Sequence, residues 1–180
     1  MDQRALFDQV SQLEAALPAY RENQPALGII GNIKSILAVQ PEIFWYGVDF
    51  IGGNALVGSA TPTPINLFVN IQQDAAFKIL GATYFADIAN AAQTDSTRVI
   101  PLTTILLTDT GNGRNFSNAA VPITALAGHQ GLPMYWPEPK TVQSLASIQV
   151  QATPFVAAGT TYNLRFYFCG TKLYKYTAQA

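Results

Sequence analysis

One cysteine, one histidine and very little charge mark this chain of 180 residues. Charged residues make up 12% of it, about half the ~25% of an ordinary soluble domain. A lone Cys169 cannot close an internal disulfide, so nothing points to an oxidising compartment. Metal sites need clustered His, Cys, Asp or Glu, and His129 stands alone in the sequence, far from Cys169. A Ser-His-Asp or Cys-His nucleophile would have to use that same His129, and no Gly-x-Ser-x-Gly elbow precedes it. Ten basic against eleven acidic residues leave a net charge of −1 with no basic run. The phosphate-binding footprint of nucleic-acid proteins is therefore missing, as is the basic patch that attracts an anionic membrane. No apolar run approaches the ~20 residues of a membrane helix. Residues 1–20 lack the basic region and apolar core of a signal peptide. The expectation is a chain made in a cytoplasm, with no cofactor, no metal, no nucleic acid and no membrane.

What is present is apolar. Hydrophobic residues reach 49%, and so little charge beside so much apolar surface suggests faces hidden against neighbouring subunits. A monomer coated in Thr, Asn, Gln and Ser fits the same composition.

The N-terminal segment has helical period. Leu6, Val10, Leu13 and Leu17 form one apolar stripe with Arg4, Asp8, Gln12 and Glu14 off it. Asp2 can cap the start, and Pro18 sets the expected end. Such a helix either covers its own domain or docks on a partner. Residues 21–42, with Ile29, Ile30, Ile33, Ile36 and Leu37 between Pro25 and Pro41, read as a helical or irregular arm.

From residue 43 the period becomes two. Phe44, Tyr46, Val48 and Phe50 alternate with Trp45, Gly47 and Asp49; Ile65, Leu67, Val69 and Ile71 alternate with Asn66, Phe68 and Asn70. Further strands are expected over 77–87 and 99–109, with a small polar connection over 88–97 between them. Asp109-Thr110-Gly111-Asn112-Gly113-Arg114 is a hairpin turn, because its glycines and Asn tolerate positive φ and Asp109 can accept from backbone amides. The returning strand carries Phe116 and Val121 to Leu126. Leu132-Pro133-Met134-Tyr135-Trp136-Pro137-Glu138-Pro139 reads as an extended crossing loop, since proline donates no ladder hydrogen bond. Gly128-His129-Gln130-Gly131 reads as a flexible loop. Ser147 to Gln151 and Tyr162 to Tyr174 close the set, the latter with Leu164, Phe166 and Phe168 on one face and Asn163, Arg165 and Tyr167 on the other.

Seven or eight strands with long crossing loops predict a mainly β fold: an antiparallel, jelly-roll-like β-sandwich over 43–180, preceded by a helix and docking arm over 1–42. Carboxylates such as Asp49, Asp74, Asp87, Asp95, Asp109 and Glu138 could pair in space for glycoside hydrolysis. Most of them are better explained by turns, and no catalytic residue is assigned. The aromatic residues read chiefly as core or interface anchors. Trp136, set among Pro133, Pro137 and Pro139, is the ring most expected to be exposed, and a sugar-stacking role for it is the rival reading.

The succession Asn70-Ile71-Gln72-Gln73-Asp74-Ala75-Ala76-Phe77, then Ser96-Thr97-Arg98-Val99-Ile100-Pro101 leading to Thr108-Asp109-Thr110-Gly111, the Leu132–Pro139 run and the close on Gly170-Thr171-Lys172-Leu173 resembles small virion structural proteins of tailed bacteriophages. The resemblance covers about 110 residues within 65–175 and rests on turns and strands, not chemistry. It implies a non-enzymatic capsid decoration or cement subunit, or a collar or fibre-attachment subunit, residing in the virion after assembly in the host cytoplasm. It implies the major capsid protein or other virion subunits as partners, with a homo-oligomer expected. The contacts expected from this reading are Phe7, Leu13, Ile29 and Ile30 on the arm, Tyr135 and Trp136 in the proline-rich run, and Arg165 and Tyr167 on the last strand.

Overall fold

The computed structural model describes residues 6, 8–12, 39–59, 61–88, 97–155 and 159–175. Its contacts divide the chain into residues 1–42 with 172–180, and residues 43–171. In the first unit, residues 6 and 8–12 are helical, as the apolar stripe predicts. Also within it, the Lys172 ammonium lies 5.6 Å from the centroid of the Tyr174 ring. Phe7, Leu13, Ile29 and Ile30, the expected arm contacts, lie outside the described residues.

The larger unit is a β-sandwich. The strands in chain order are β1 (Val39–Phe50), β2 (Leu56–Val57), β3 (Ile65–Asn70), β4 (Ala76–Ile88), β5 (Thr103–Asp109), β6 (Arg114–Asn115), β7 (Val121–Pro122), β8 (Gly128–His129), β9 (Met134–Val142), β10 (Ser147–Pro154) and β11 (Thr161–Lys175). One sheet runs β1-β11-β4-β8, with β2 on β11 and β9 on β4; the other runs β3-β10-β5-β6, with β7 on β5. Pairing is antiparallel for β3, β5 and their neighbours and parallel for β4 with β8.

The core lies between the inward rows of the two sheets. Leu164, Phe166 and Phe168 of β11 are fully buried, as are Phe50, Phe77 and Ile79 of the same sheet. Ile105 and Leu107 of β5 and Ile148 and Val150 of β10 meet them from the second sheet. Phe166 and Phe168 touch edge to face at 5.2 Å between centroids, the arrangement that the aromatic quadrupole favours. Cys169 is buried too, on the alternate parity of β11, and desolvation pushes its thiol pKa up, away from the reactive thiolate.

Four sequence expectations are corrected. The Leu132–Pro139 run is not a crossing loop: most of it belongs to β9, which pairs with β4 at Gly81↔Tyr135 and again at Ile79↔Lys140. The register breaks between those pairs, so Pro137 and Pro139 sit where no ladder donor is needed. The same irregularity switches the inward parity of β4 from Phe77 and Ile79 to Ala82, Tyr84 and Ala86. The segment from Val121 to Leu126 is not one strand, because after Pro122 the chain makes a single helical turn, Ile123–Leu126, that buries Ile123. His129 belongs to β8, not to a loop, with its ring 5.1 Å from that of Tyr84. The strand expected from Val99 starts only at Thr103. Of the connection expected over 88–97, residues 89–96 lie outside the described residues.

The hairpin expectation holds. Asp109 is buried at the end of β5, and its carboxylate accepts from the Gly111 amide at 2.9 Å and from Asn112 Nδ2 at 2.9 Å. Gly113 takes the positive φ of 67° that closes the turn. An Asp109→Ala change removes both bonds to the carboxylate that hold the turn. It is expected to lower stability by about 1–3 kcal/mol, read as a shifted urea midpoint at unchanged slope.

Candidate interaction surface

The two sheets present very different outer faces. On the first sheet, Tyr167 lies across Gly47, where a Cβ would run into its ring. Its edge-to-face neighbour is Phe85, at 6.2 Å, and its hydroxyl donates to Asp49 Oδ1 at 3.5 Å. Desolvation, and then the nearby Asp49 carboxylate, raise the Tyr167 pKa, with Arg165 opposing. Trp45 is 47% exposed on the same strand as Gly47 and Asp49. Arg165 and Tyr167 are thus brought together on an outer face, one that is mixed: aromatic, acidic and basic.

The second sheet has an outer face without a single charged side chain among its paired positions. Registers place the side chains in rows across β3, β10 and β5: Asn70 by Ser147; Phe68, Gln149 and Thr108; Asn66, Gln151 and Leu106; Thr153 by Thr104. Asn115 of β6 extends the second row and Pro122 of β7 the last. The ladder continues one residue further, since the Phe155 amide donates to the Leu102 carbonyl at 2.9 Å. That places two large apolar side chains, 52% and 49% exposed, opposite each other at one end. Phe68, 54% exposed, stands on the opposite side of the patch, on β3.

Polar side chains on this face are tied to each other. Gln149 Nε2 and Gln151 Nε2 both donate to Asn66 Oδ1, at 2.9 and 3.1 Å. Ser147 Oγ donates to Asn70 Oδ1 at 2.7 Å, and Thr108 Oγ1 to Asn115 Oδ1 at 2.7 Å. Amides and hydroxyls held in this way lose little rotamer entropy when another surface covers them. Because none is charged, the desolvation cost of covering them stays small.

Tyr135 and Trp136, expected together at one contact, point apart. Tyr135 is exposed, whereas Trp136 is partly buried, its indole N–H donating to the Leu126 carbonyl at 2.9 Å. Its ring packs edge to face between Phe116 and Phe168. It is a wall of a shallow groove of about 350 Å³ shared with Pro137, Glu138 and Lys140, not a free stacking platform. Among the described residues, no three His, Cys, Asp or Glu side chains gather closely enough to hold a metal, and no helix is long and apolar enough to cross a membrane.

Sequence reasoning missed Leu102, Leu106 and Phe155 as surface residues. The one readable signal was Phe68, an aromatic residue on the polar side of its strand between Asn66 and Asn70. No family model, no curated protein and no solved structure matches the chain.

Proposed function

We propose that this chain is a non-enzymatic structural subunit of a tailed-bacteriophage virion, of the capsid decoration or cement kind, that works by pressing one sheet face against its neighbours. The observation that carries the reading is the charge-free outer face of the second sheet, with Phe68, Leu102 and Phe155 about half exposed on it. A surface of that composition gains from being covered, and an interface core is depleted of charge in the same way. The partner is the major capsid protein or another virion subunit, and the place is the assembled particle. Cementing then consists of added apolar contact across subunit boundaries, which opposes the outward pressure of packaged DNA. The test is mass spectrometry of gradient-purified particles. This chain should co-purify in fixed ratio to the major capsid protein through a salt wash, and its loss from the particle peak would contradict the reading.

A second reading has its own observation. Trp45 and Tyr167 sit beside Asp49 and Arg165 on the first sheet, a combination of aromatic faces and hydrogen-bonding groups that suits a sugar. In that reading the chain is a carbohydrate-binding or fibre or collar adaptor module. A glycan array with a Trp45→Ala control separates the two, because a cement subunit binds no glycan.

A further inference from the structure

The free edge of the second sheet is β3, and its hydrogen-bonding direction is fixed by its neighbours. The Ile71 amide donates to the Ala146 carbonyl at 2.9 Å, so the odd-numbered residues of β3 bond inward to β10. On the other side of β10, the Thr110 amide donates to the Ser147 carbonyl and the Phe155 amide to the Leu102 carbonyl. Odd-numbered residues of β10 therefore serve β5 and even-numbered ones serve β3, which agrees. The backbone groups of Asn66, Phe68 and Asn70 consequently point out of the sheet edge. Among the described residues no backbone partner meets them.

Exposed edges are normally blunted by charge, proline or a bulge. The other long edge strands here obey: β1 holds Asp49, and β9 holds Pro137, Glu138, Pro139 and Lys140. Strands β6, β7 and β8 are two residues each. β3 has none of these devices, and no charged residue occurs anywhere between Asp49 and Asp74. Ile65 and Leu67 face inward yet remain only half-buried.

We propose that β3 pairs antiparallel with β3 of a second copy of this chain, about a two-fold axis through Phe68. The sequence of the strand is self-complementary in that register. Phe68 faces Phe68 of the second copy, and Asn66 faces its Asn70 on both sides. All three are outward-bonding positions, so the pairing forms about six backbone hydrogen bonds. Aromatic pairs and amide pairs are favourable cross-strand neighbours, and no like charges oppose each other. Asn66 accepts from two glutamines and Asn70 accepts from Ser147. The Nδ2 group of Asn66 is thereby left to donate to Asn70 Oδ1 of the second copy. The two second sheets become one continuous sheet, and their charge-free faces one surface.

This dimer enlarges the docking face of the function proposed above and rests on that reading for its purpose, but it is measured on the free protein. Sedimentation of the full chain should give twice the 19.4 kDa chain mass. Phe68→Pro should return it to one chain mass with an unchanged far-UV spectrum, because the lost N–H faces outward, where an edge strand tolerates proline. Phe68→Cys provides a check that does not depend on that fold. Facing cysteines about 5.5 Å apart at Cα are within disulfide reach, so mild oxidation should give a covalent dimer. Asn66→Cys should not, being about 14 Å along the strand from its own counterpart. Buried Cys169 does not compete. A monomeric wild-type chain, or equal cross-linking of both variants, overturns the dimer. Particle incorporation, measured separately, is unaffected by that outcome.

Discussion

Phe166→Ala should cost the sandwich about 3–5 kcal/mol, a large share of the 5–15 kcal/mol that a domain has in hand. Phe166 is fully buried in β11, the strand that lies between β1 and β4. Its ring meets Phe168 edge to face, so the deletion removes both apolar area and an aromatic pair. The backbone on either side is held by neighbouring strands and cannot collapse into the space. Urea unfolding should show the full loss in the midpoint. A loss below about 1 kcal/mol would mean that the two sheets do not meet where the fold places them.

The second large effect is expected at the surface and should leave the chain folded. Leu106 and Gln149 lie on adjacent rows of the charge-free face, and both are only half-buried. Replacing both with lysine puts two ammonium groups where the proposed interface excludes water. A buried, unpaired charge costs several kcal/mol, so incorporation into particles should fall by two orders of magnitude or more. The isolated variant should still fold, with a loss of about 1 kcal/mol for each half-buried substitution, far less than the effect on incorporation. Charge added to the first sheet instead, as Trp45→Lys, should leave incorporation intact if docking uses the second sheet, and would abolish sugar binding if the rival reading holds.

Much of this architecture could be read from the residues because strand period is a local signal. Phe44 to Phe50, Ile65 to Ile71 and Leu164 to Phe168 alternate as half-buried strands must, and the buried rows follow them. The reading failed where tertiary pairing overrides local chemistry. The prolines of β9 are accommodated by a register break against β4, which no pattern within residues 132–139 announces. β8 is two residues long and exists only because Thr83 and Tyr84 of β4 supply a parallel partner. The candidate surface was legible only in part for a related reason. Leu102, Leu106 and Phe155 are apolar, and a sequence assigns apolar residues to the core by default. Their outward direction follows from the register of β5 on β10, set by pairs of residues 39 to 51 positions apart. Arg165 and Tyr167 were placed on an outer face correctly, because one strand's alternation was enough.

Hydroxyl-radical footprinting of the chain, free and in the assembled particle, tests the central claim most directly. Leu102, Leu106 and Phe155 should react in the free chain and be protected on assembly, while Trp45 and Tyr167 keep their reactivity. Unchanged reactivity at the three, with protection confined to the first sheet, would contradict the account.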